Sequence, residues 1–205
     1  MFLSGGLYAI TAGEEVISAT RAALAGGARL LQYRDKSDDS ARRLAEAKAL
    51  AALCREAGIP FLINDDIALA RVVGADGVHL GRDDAAIDEA RAILGANAII
   101  GVSCYADLAR AARLAAAGAD YLAFGRFFPS RSKPDATPAP LAVLREARAR
   151  FDLPLVAIGG ITPENGATLI DAGADYLAVI DALFGQPDPR AAARAFQPLF
   201  HRSAR

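Results

Sequence analysis

The chain has 205 residues, 53% hydrophobic and 23% charged, which is enough for one well-buried domain (1–205) and short for two. Its formal net charge of -1 gives no global field to draw in nucleic acid or an anionic membrane, so neither partner is expected and any phosphate affinity must come from a local cluster. Two cysteines, Cys54 and Cys104, stand far apart without a CxxC motif; they read as small core residues of a reduced, cytoplasmic protein, and no zinc site is expected.

The opening residues Met1 to Gly6 carry no basic n-region and no long apolar h-region, so no signal peptide is expected. Apolar runs then recur at 6–11, 29–33, 60–64, 77–80, 98–102, 121–125, 154–158 and 176–180. Most are continuous rather than alternating, the pattern of strands covered on both faces in a parallel sheet. No run approaches the ~20 residues that a membrane helix needs. The segments between are rich in Ala, Leu, Arg and Glu, which favour helix. The second is the clearest. Ser40 is placed to cap it, Asp39 and Arg43 form an i,i+4 pair, Leu44, Ala47, Ala51 and Cys54 make an apolar stripe, and Gly58 and Pro60 end it.

Ala117-Gly118-Ala119-Asp120-Tyr121-Leu122-Ala123 recurs as Ala172-Gly173-Ala174-Asp175-Tyr176-Leu177-Ala178, with looser copies at Gly26-Gly27-Ala28 and Gly74-Ala75-Asp76. Each places a glycine at a helix end before a turn and a strand. Eight such units without a composition break predict a single α/β domain, a TIM (β/α)8 barrel. A doubly wound open sheet is the alternative, but eight similar units exceed what such a sheet usually needs.

In a barrel the C-terminal strand ends converge on one mouth. Gln32, Arg34 and Lys36 follow the second strand, with the two cations spaced to share a face. Asn64, Asp65 and Asp66 follow the third. Adjacent acids repel unless a cation lies between them, and hard oxygen ligands suit Mg²⁺; Asp66 is also placed to cap the helix from Ile67. Asp83 and Asp84 follow the fourth, Ser103 the fifth. The basic, hydroxyl-rich segment from Arg126 to Pro138 follows the sixth and is the longest irregular stretch, suited to fold over phosphates. Gly159-Gly160 follows the seventh and Asp181-Ala182-Leu183 the eighth, where barrels commonly hold a phosphate on backbone amides. Two anion sites are therefore expected, one metal-assisted and one for a monophosphate.

Histidine is scarce. His201 lies in the C-terminal tail, and His79, inside an apolar strand, reads as a satisfied core imidazole. There is no GxSxG motif and no lysine inside an apolar strand. A site poor in general bases and rich in anion stabilisers suits departure of a phosphorylated leaving group.

Seven ordered segments resemble bacterial thiamine phosphate synthases: QYRDK at 32–36, INDD at 63–66, DGVHLGRDD at 76–84, GVS at 101–103, FGRFFPSRSKP at 124–134, AIGGIT at 157–162 and LAVIDALFG at 177–185. The resemblance covers nearly the whole chain. It implies a TIM barrel that joins 4-amino-2-methyl-5-(diphosphooxymethyl)pyrimidine to 4-methyl-5-(2-phosphooxyethyl)thiazole, giving thiamine phosphate and pyrophosphate. It implies Mg²⁺ as cofactor, held by Asp65 and Asp84, and a homodimer as a plausible assembly. Gln32, Arg34, Lys36 and Asn64 would contact the pyrimidine diphosphate, and Ser103 and Lys133 the pyrimidine and its pyrophosphate. Ser130, Arg131, Ser132, Gly160, Ile180 and Asp181 would lie against the thiazole phosphate. Arg34, Lys36 and Lys133 would assist the leaving group.

Some positions depart from the commoner pattern. Ser130 and Ser132 replace threonines, Tyr105 a frequent histidine, Arg82 a frequent glutamine and Asp181 a frequent serine. A carboxylate facing a phosphate is unfavourable, so the Asp181 backbone is expected to make the contact while its side chain turns away or caps the final helix. A thiazole tautomerase, a sugar-phosphate epimerase and a non-catalytic sensor are rival readings. The first lacks a use for the metal set, and the second lacks one for the basic loop.

Overall fold

The computed structural model describes residues 5–81, 86–129 and 138–201. Strands and helices alternate in the order β1 (Gly6–Ile10), α1 (Val16–Ala25), β2 (Ala28–Tyr33), α2 (Ser40–Ala57), β3 (Phe61–Asn64), α3 (Ile67–Val73), β4 (Gly77–Leu80) and α4 (Ala86–Leu94). They continue as β5 (Ile99–Tyr105), α5 (Leu108–Ala116), β6 (Tyr121–Gly125), α6 (Leu141–Arg150), β7 (Leu155–Ile158), α7 (Ala167–Asp171), β8 (Tyr176–Val179), α8 (Asp181–Phe184) and α9 (Pro189–Phe200). Each strand pairs in parallel with the next, and β1 pairs with β8, closing the sheet into a barrel. The closed (β/α)8 barrel is thus the observed fold, and the open sheet is excluded. No helix among the described residues is long and apolar enough to cross a membrane.

Closure explains why the strands read as continuous apolar runs. Successive residues of a strand point to opposite faces, and here both faces are covered. In β1, Tyr8 and Ile10 join Leu30, Leu62, Ile99, Tyr121, Val156 and Tyr176 in the barrel interior. Leu7 and Ala9 face outward into the larger layer between strands and helices, with Leu50, Cys54, Leu114, Leu144 and Phe196. Bulky interior rings need small neighbours. Gly101 lies opposite Tyr121 in the β5–β6 register, and a Cβ at Gly101 would fall 1.8 Å from the Tyr121 ring.

Strand limits fall within a residue of expectation except at β5. That strand runs on through Ser103 to Tyr105, with a register shift between them against β6. The helix caps differ more. Asp39, not Ser40, caps α2, its carboxylate accepting from the Arg42 N–H at 2.9 Å. Arg43 reaches to Asp66 at 2.7 Å, so the expected Asp39–Arg43 pair is replaced by a link between α2 and the start of α3. Asp66 does cap α3, accepting from the Leu69 N–H at 2.8 Å. Gly58 ends α2 in the left-handed conformation, φ 66°, as a glycine there permits.

Candidate active site

A cavity of about 1130 Å³ opens at the C-terminal ends of the strands. That lies just above the ~300–1,000 Å³ usual for ligand pockets. Its rim gathers Gln32, Arg34, Lys36, Asn64, Asp65, Ser103, Gly160, Ile180 and Asp181, the described members of the expected site. Asp84, Ser130, Arg131, Ser132 and Lys133, and with them Arg82, lie outside the described residues.

The basic pair follows from strand geometry. Beyond β2 the side chains keep alternating, so Arg34 and Lys36 line the cavity while Asp35 between them turns to α2. The Asp35 carboxylate is bonded at 2.8 Å by Arg42 and at 2.7 Å by the Ser37 N–H. Partial burial opposes its ionisation, but the Ser37 bonds and the Arg42 charge outweigh it and hold the carboxyl below its usual range. The Arg34 N–H donates to Thr11 Oγ1 at 2.9 Å, fixing this segment to the end of β1.

Asp65 sits at the turn from β3 into α3 with a left-handed backbone, φ 59°. Its N–H donates to the His79 carbonyl at 2.9 Å, and its Oδ1 accepts from the Gly81 N–H at 2.9 Å. Asn64 Nδ2 donates to Oδ2 at 2.7 Å. The residue therefore ties β3 to the end of β4 and keeps unused lone pairs on both oxygens. Such an oxygen donor fits a hard cation. No cluster of three acidic, histidine or cysteine side chains forms a complete cage among the described residues. Mg²⁺ is usually held by one or two carboxylates together with substrate phosphates and water.

Across the mouth, Gly159 and Gly160 have φ of 105° and 63°. A Cβ on Gly160 would fall 2.2 Å from the Pro129 carbonyl oxygen, and one on Gly159 would fall 2.2 Å from Arg126 Cβ. Only glycines let this turn pack beneath the segment after β6. Asn165 pins the turn, accepting from the Thr162 N–H and donating to the Gly160 carbonyl. Asp181 opens α8 and lines the cavity, and its carboxylate has no bonding partner among the described residues. It does not cap the final helix: Asp188 does, accepting from the N–H groups of Arg190 and Ala191.

Several cavity residues were not among the expected site residues. Arg126 adds a third cation to the wall, and Tyr8 lies on the floor. Tyr105, with φ 59°, carries the Arg110 guanidinium over its ring at 5.8 Å, and the same guanidinium bonds the carbonyls of Ser103 and Gly81. His79 is bonded on both nitrogens, as a satisfied core imidazole requires, to Tyr121 at 2.8 Å and Ser103 at 2.9 Å. It also lines the cavity, which the sequence reading did not anticipate. An inward strand position shared by a tyrosine, a glutamine and a histidine was the available signal. The cysteines are buried as expected, and burial pushes the Cys54 thiol up to about 12.

The comparisons with known proteins agree with this geometry. The family model for thiamine monophosphate synthase matches residues 7–183. A thiamine-phosphate synthase of Thiobacillus denitrificans is 56% identical over 202 residues, covering 96% of this chain and 95% of its own length. One from Nitrosococcus oceani is 54% identical, with 95% and 92% covered. Among solved structures, a thiamine phosphate pyrophosphorylase from Pyrococcus furiosus superposes with a TM-score of 0.89 at 35% identity, covering 98% of both chains. The chain belongs to the thiamine phosphate synthase family of transferases.

Proposed function

We propose that this barrel condenses 4-amino-2-methyl-5-(diphosphooxymethyl)pyrimidine with 4-methyl-5-(2-phosphooxyethyl)thiazole in an Mg²⁺-dependent reaction yielding thiamine phosphate and pyrophosphate. The observation that carries this reading is the convergence of Arg34, Lys36, Asn64 and Asp65 on one cavity that the Gly160 turn and Asp181 also line.

Arg34, Lys36 and Asn64 bind the diphosphate, with Lys133 as a further cation that the family resemblance supplies. Asp65 and Asp84 would hold Mg²⁺, whose chemistry when bound is to neutralise the charge that develops on departing pyrophosphate. The C–O bond to the diphosphate breaks first, leaving a pyrimidine-methyl cation, and the thiazole nitrogen then attacks that carbon. Fixed cations aimed at the leaving group act without reorganising as the charge develops. No step needs a protein base. Gln32 and Ser103 orient the pyrimidine end. Gly160, Ile180 and Asp181 hold the thiazole phosphate through backbone N–H groups, together with Ser130, Arg131 and Ser132.

The test is turnover. Purified protein with both substrates and Mg²⁺ yields thiamine phosphate, and EDTA or omission of the thiazole abolishes it. Tight binding of both ligands without product would replace the reading with a sensor. Light scattering reads the homodimer that the resemblance suggests, and a mass near the 21.3 kDa of one chain would remove it.

A further inference from the structure

Along the cavity floor, five polar side chains from five strands form one continuous line of hydrogen bonds. Gln32 Nε2 donates to the Tyr8 hydroxyl at 2.5 Å, and that hydroxyl meets the Tyr121 hydroxyl at 2.8 Å. The Tyr121 hydroxyl meets His79 Nδ1 at 2.8 Å, and His79 Nε2 meets Ser103 Oγ at 2.9 Å. Tyr8 and Tyr121 are essentially without solvent exposure, and Gln32 is 2% exposed. Burial pushes both phenols well above their ordinary range, so both stay protonated throughout any working pH. Tyr121 does not reach the cavity, whereas Gln32, Tyr8, His79 and Ser103 all line it.

Each hydroxyl has one proton to give, and a neutral imidazole donates from only one nitrogen. The line admits an arrangement that runs in one direction from its Gln32 end. In the arrangement that spends every proton along the line, Gln32 donates to Tyr8, Tyr8 to Tyr121 and Tyr121 to His79 Nδ1. His79 then carries its proton on Nε2 and donates to Ser103. The Ser103 oxygen accepts that bond, and its own proton is left to point into the cavity.

We propose that Tyr121 is a positioning residue: acting through His79, it holds the Ser103 hydroxyl as a donor toward a ring nitrogen of the bound aminopyrimidine. The inference rests on the synthase reading above. It gives a function to a ring that touches no substrate and for which β5 leaves space at Gly101. It also accounts for a buried histidine in a mechanism that needs no base. Hydrogen bonds in a low-dielectric interior polarise one another, so an end fixed at Gln32 is felt at Ser103.

The experiment combines nitrogen-15 NMR of the His79 ring with kinetics of Tyr121→Phe, which keeps the ring and removes only the hydroxyl. In the wild-type protein the proton is expected on Nε2 with Nδ1 unprotonated. In Tyr121→Phe the ring signals move toward a mixture of tautomers, and kcat/KM for the pyrimidine diphosphate falls about tenfold, the scale of one lost hydrogen bond. The KM for the thiazole phosphate stays unchanged. Tyr8→Phe, one bond further along, shifts both readouts in the same direction and serves if Tyr121→Phe does not fold. A wild-type His79 protonated on Nδ1, or variants with lowered stability but native tautomer and native kcat/KM, would overturn the inference. Wild-type turnover beside an unaffected variant removes only this role. Absent wild-type turnover removes the synthase reading itself.

Discussion

Asp65 holds a backbone conformation that costs most side chains about 1–2 kcal/mol, and that Asp and Asn tolerate best. The strain is offset by the two ties to β4, through the His79 carbonyl and the Gly81 N–H. The same geometry turns the carboxylate into the cavity, where it can meet a cation. Asp65→Asn separates these roles. The amide keeps the left-handed preference and an acceptor for Gly81, but loses the charge. We expect a folded protein whose half-saturating Mg²⁺ concentration rises at least about tenfold, read from initial rates over a metal titration. An unchanged midpoint would mean that substrate phosphates and the remaining ligands carry the ion. Asp65→Ala adds the backbone cost and lowers the unfolding free energy by about 1–2 kcal/mol in a denaturant titration. In the sequence, adjacent acids at a strand end marked this position as a candidate metal ligand. They did not show the positive φ, which accompanies contacts to His79 and Gly81 at the end of β4.

At the scale of elements, local chemistry decides the ends of helices, and here it chose between neighbours. Asp39 and Ser40 are both good capping residues, and position alone did not separate them. In the structure the Asp39 carboxylate takes the Arg42 N–H, while Ser40 enters the helix. Asp39→Ala should therefore lower the unfolding free energy by about 1 kcal/mol. Ser40→Ala should stay within about 0.5 kcal/mol of wild type. Equal losses in parallel urea titrations would show that Ser40 shares the cap. The extension of β5 through Tyr105 has a different origin. The apolar run ends at Val102, and polar Ser103 reads as a strand end. Yet pairing with β6 continues to Tyr105, where the backbone turns left-handed as Arg110 reaches back from α5 to the Ser103 carbonyl and lies over the Tyr105 ring. Such a contact between a strand end and the next helix leaves no mark on hydrophobic periodicity. The strand-end loops were the most readable parts of the site. Arg34, Lys36, Asn64 and Gly160 all reach one cavity because strand ends in a closed parallel barrel have nowhere else to converge.

For the whole molecule, closure is what the repeated Ala-Gly-Ala-Asp units encode. Asp120 and Asp175 play equivalent parts at the foot of the barrel. Asp120 accepts from the Ile100 N–H and from Arg91, and Asp175 accepts from the Leu155 N–H and from Arg148. Each ties the start of one strand to its neighbour, so the repeat that betrayed the fold also locks its register. The interior line from Gln32 to Ser103 was not legible, because its members are scattered over five strands and meet only when the barrel closes. The candidate site sits in that interior and at the mouth, whereas much of the apolar burial sits in the outer layer. The two can therefore be separated by mutation. Phe196, on α9, is fully buried in the outer layer and belongs to a helix that packs on α1 near the closing seam of β1 and β8. Phe196→Ala leaves a cavity there and should lower the unfolding free energy by about 3–5 kcal/mol. At a temperature where the variant is fully folded, its KM for both substrates and its Mg²⁺ dependence should match wild type, because Phe196 does not itself line the cavity. Denaturant titration paired with steady-state kinetics reads both at once. A raised KM in the folded variant would mean that the seam transmits its packing to the mouth, and the barrel would have to be treated as one mechanical unit rather than a rigid shell around a separate site.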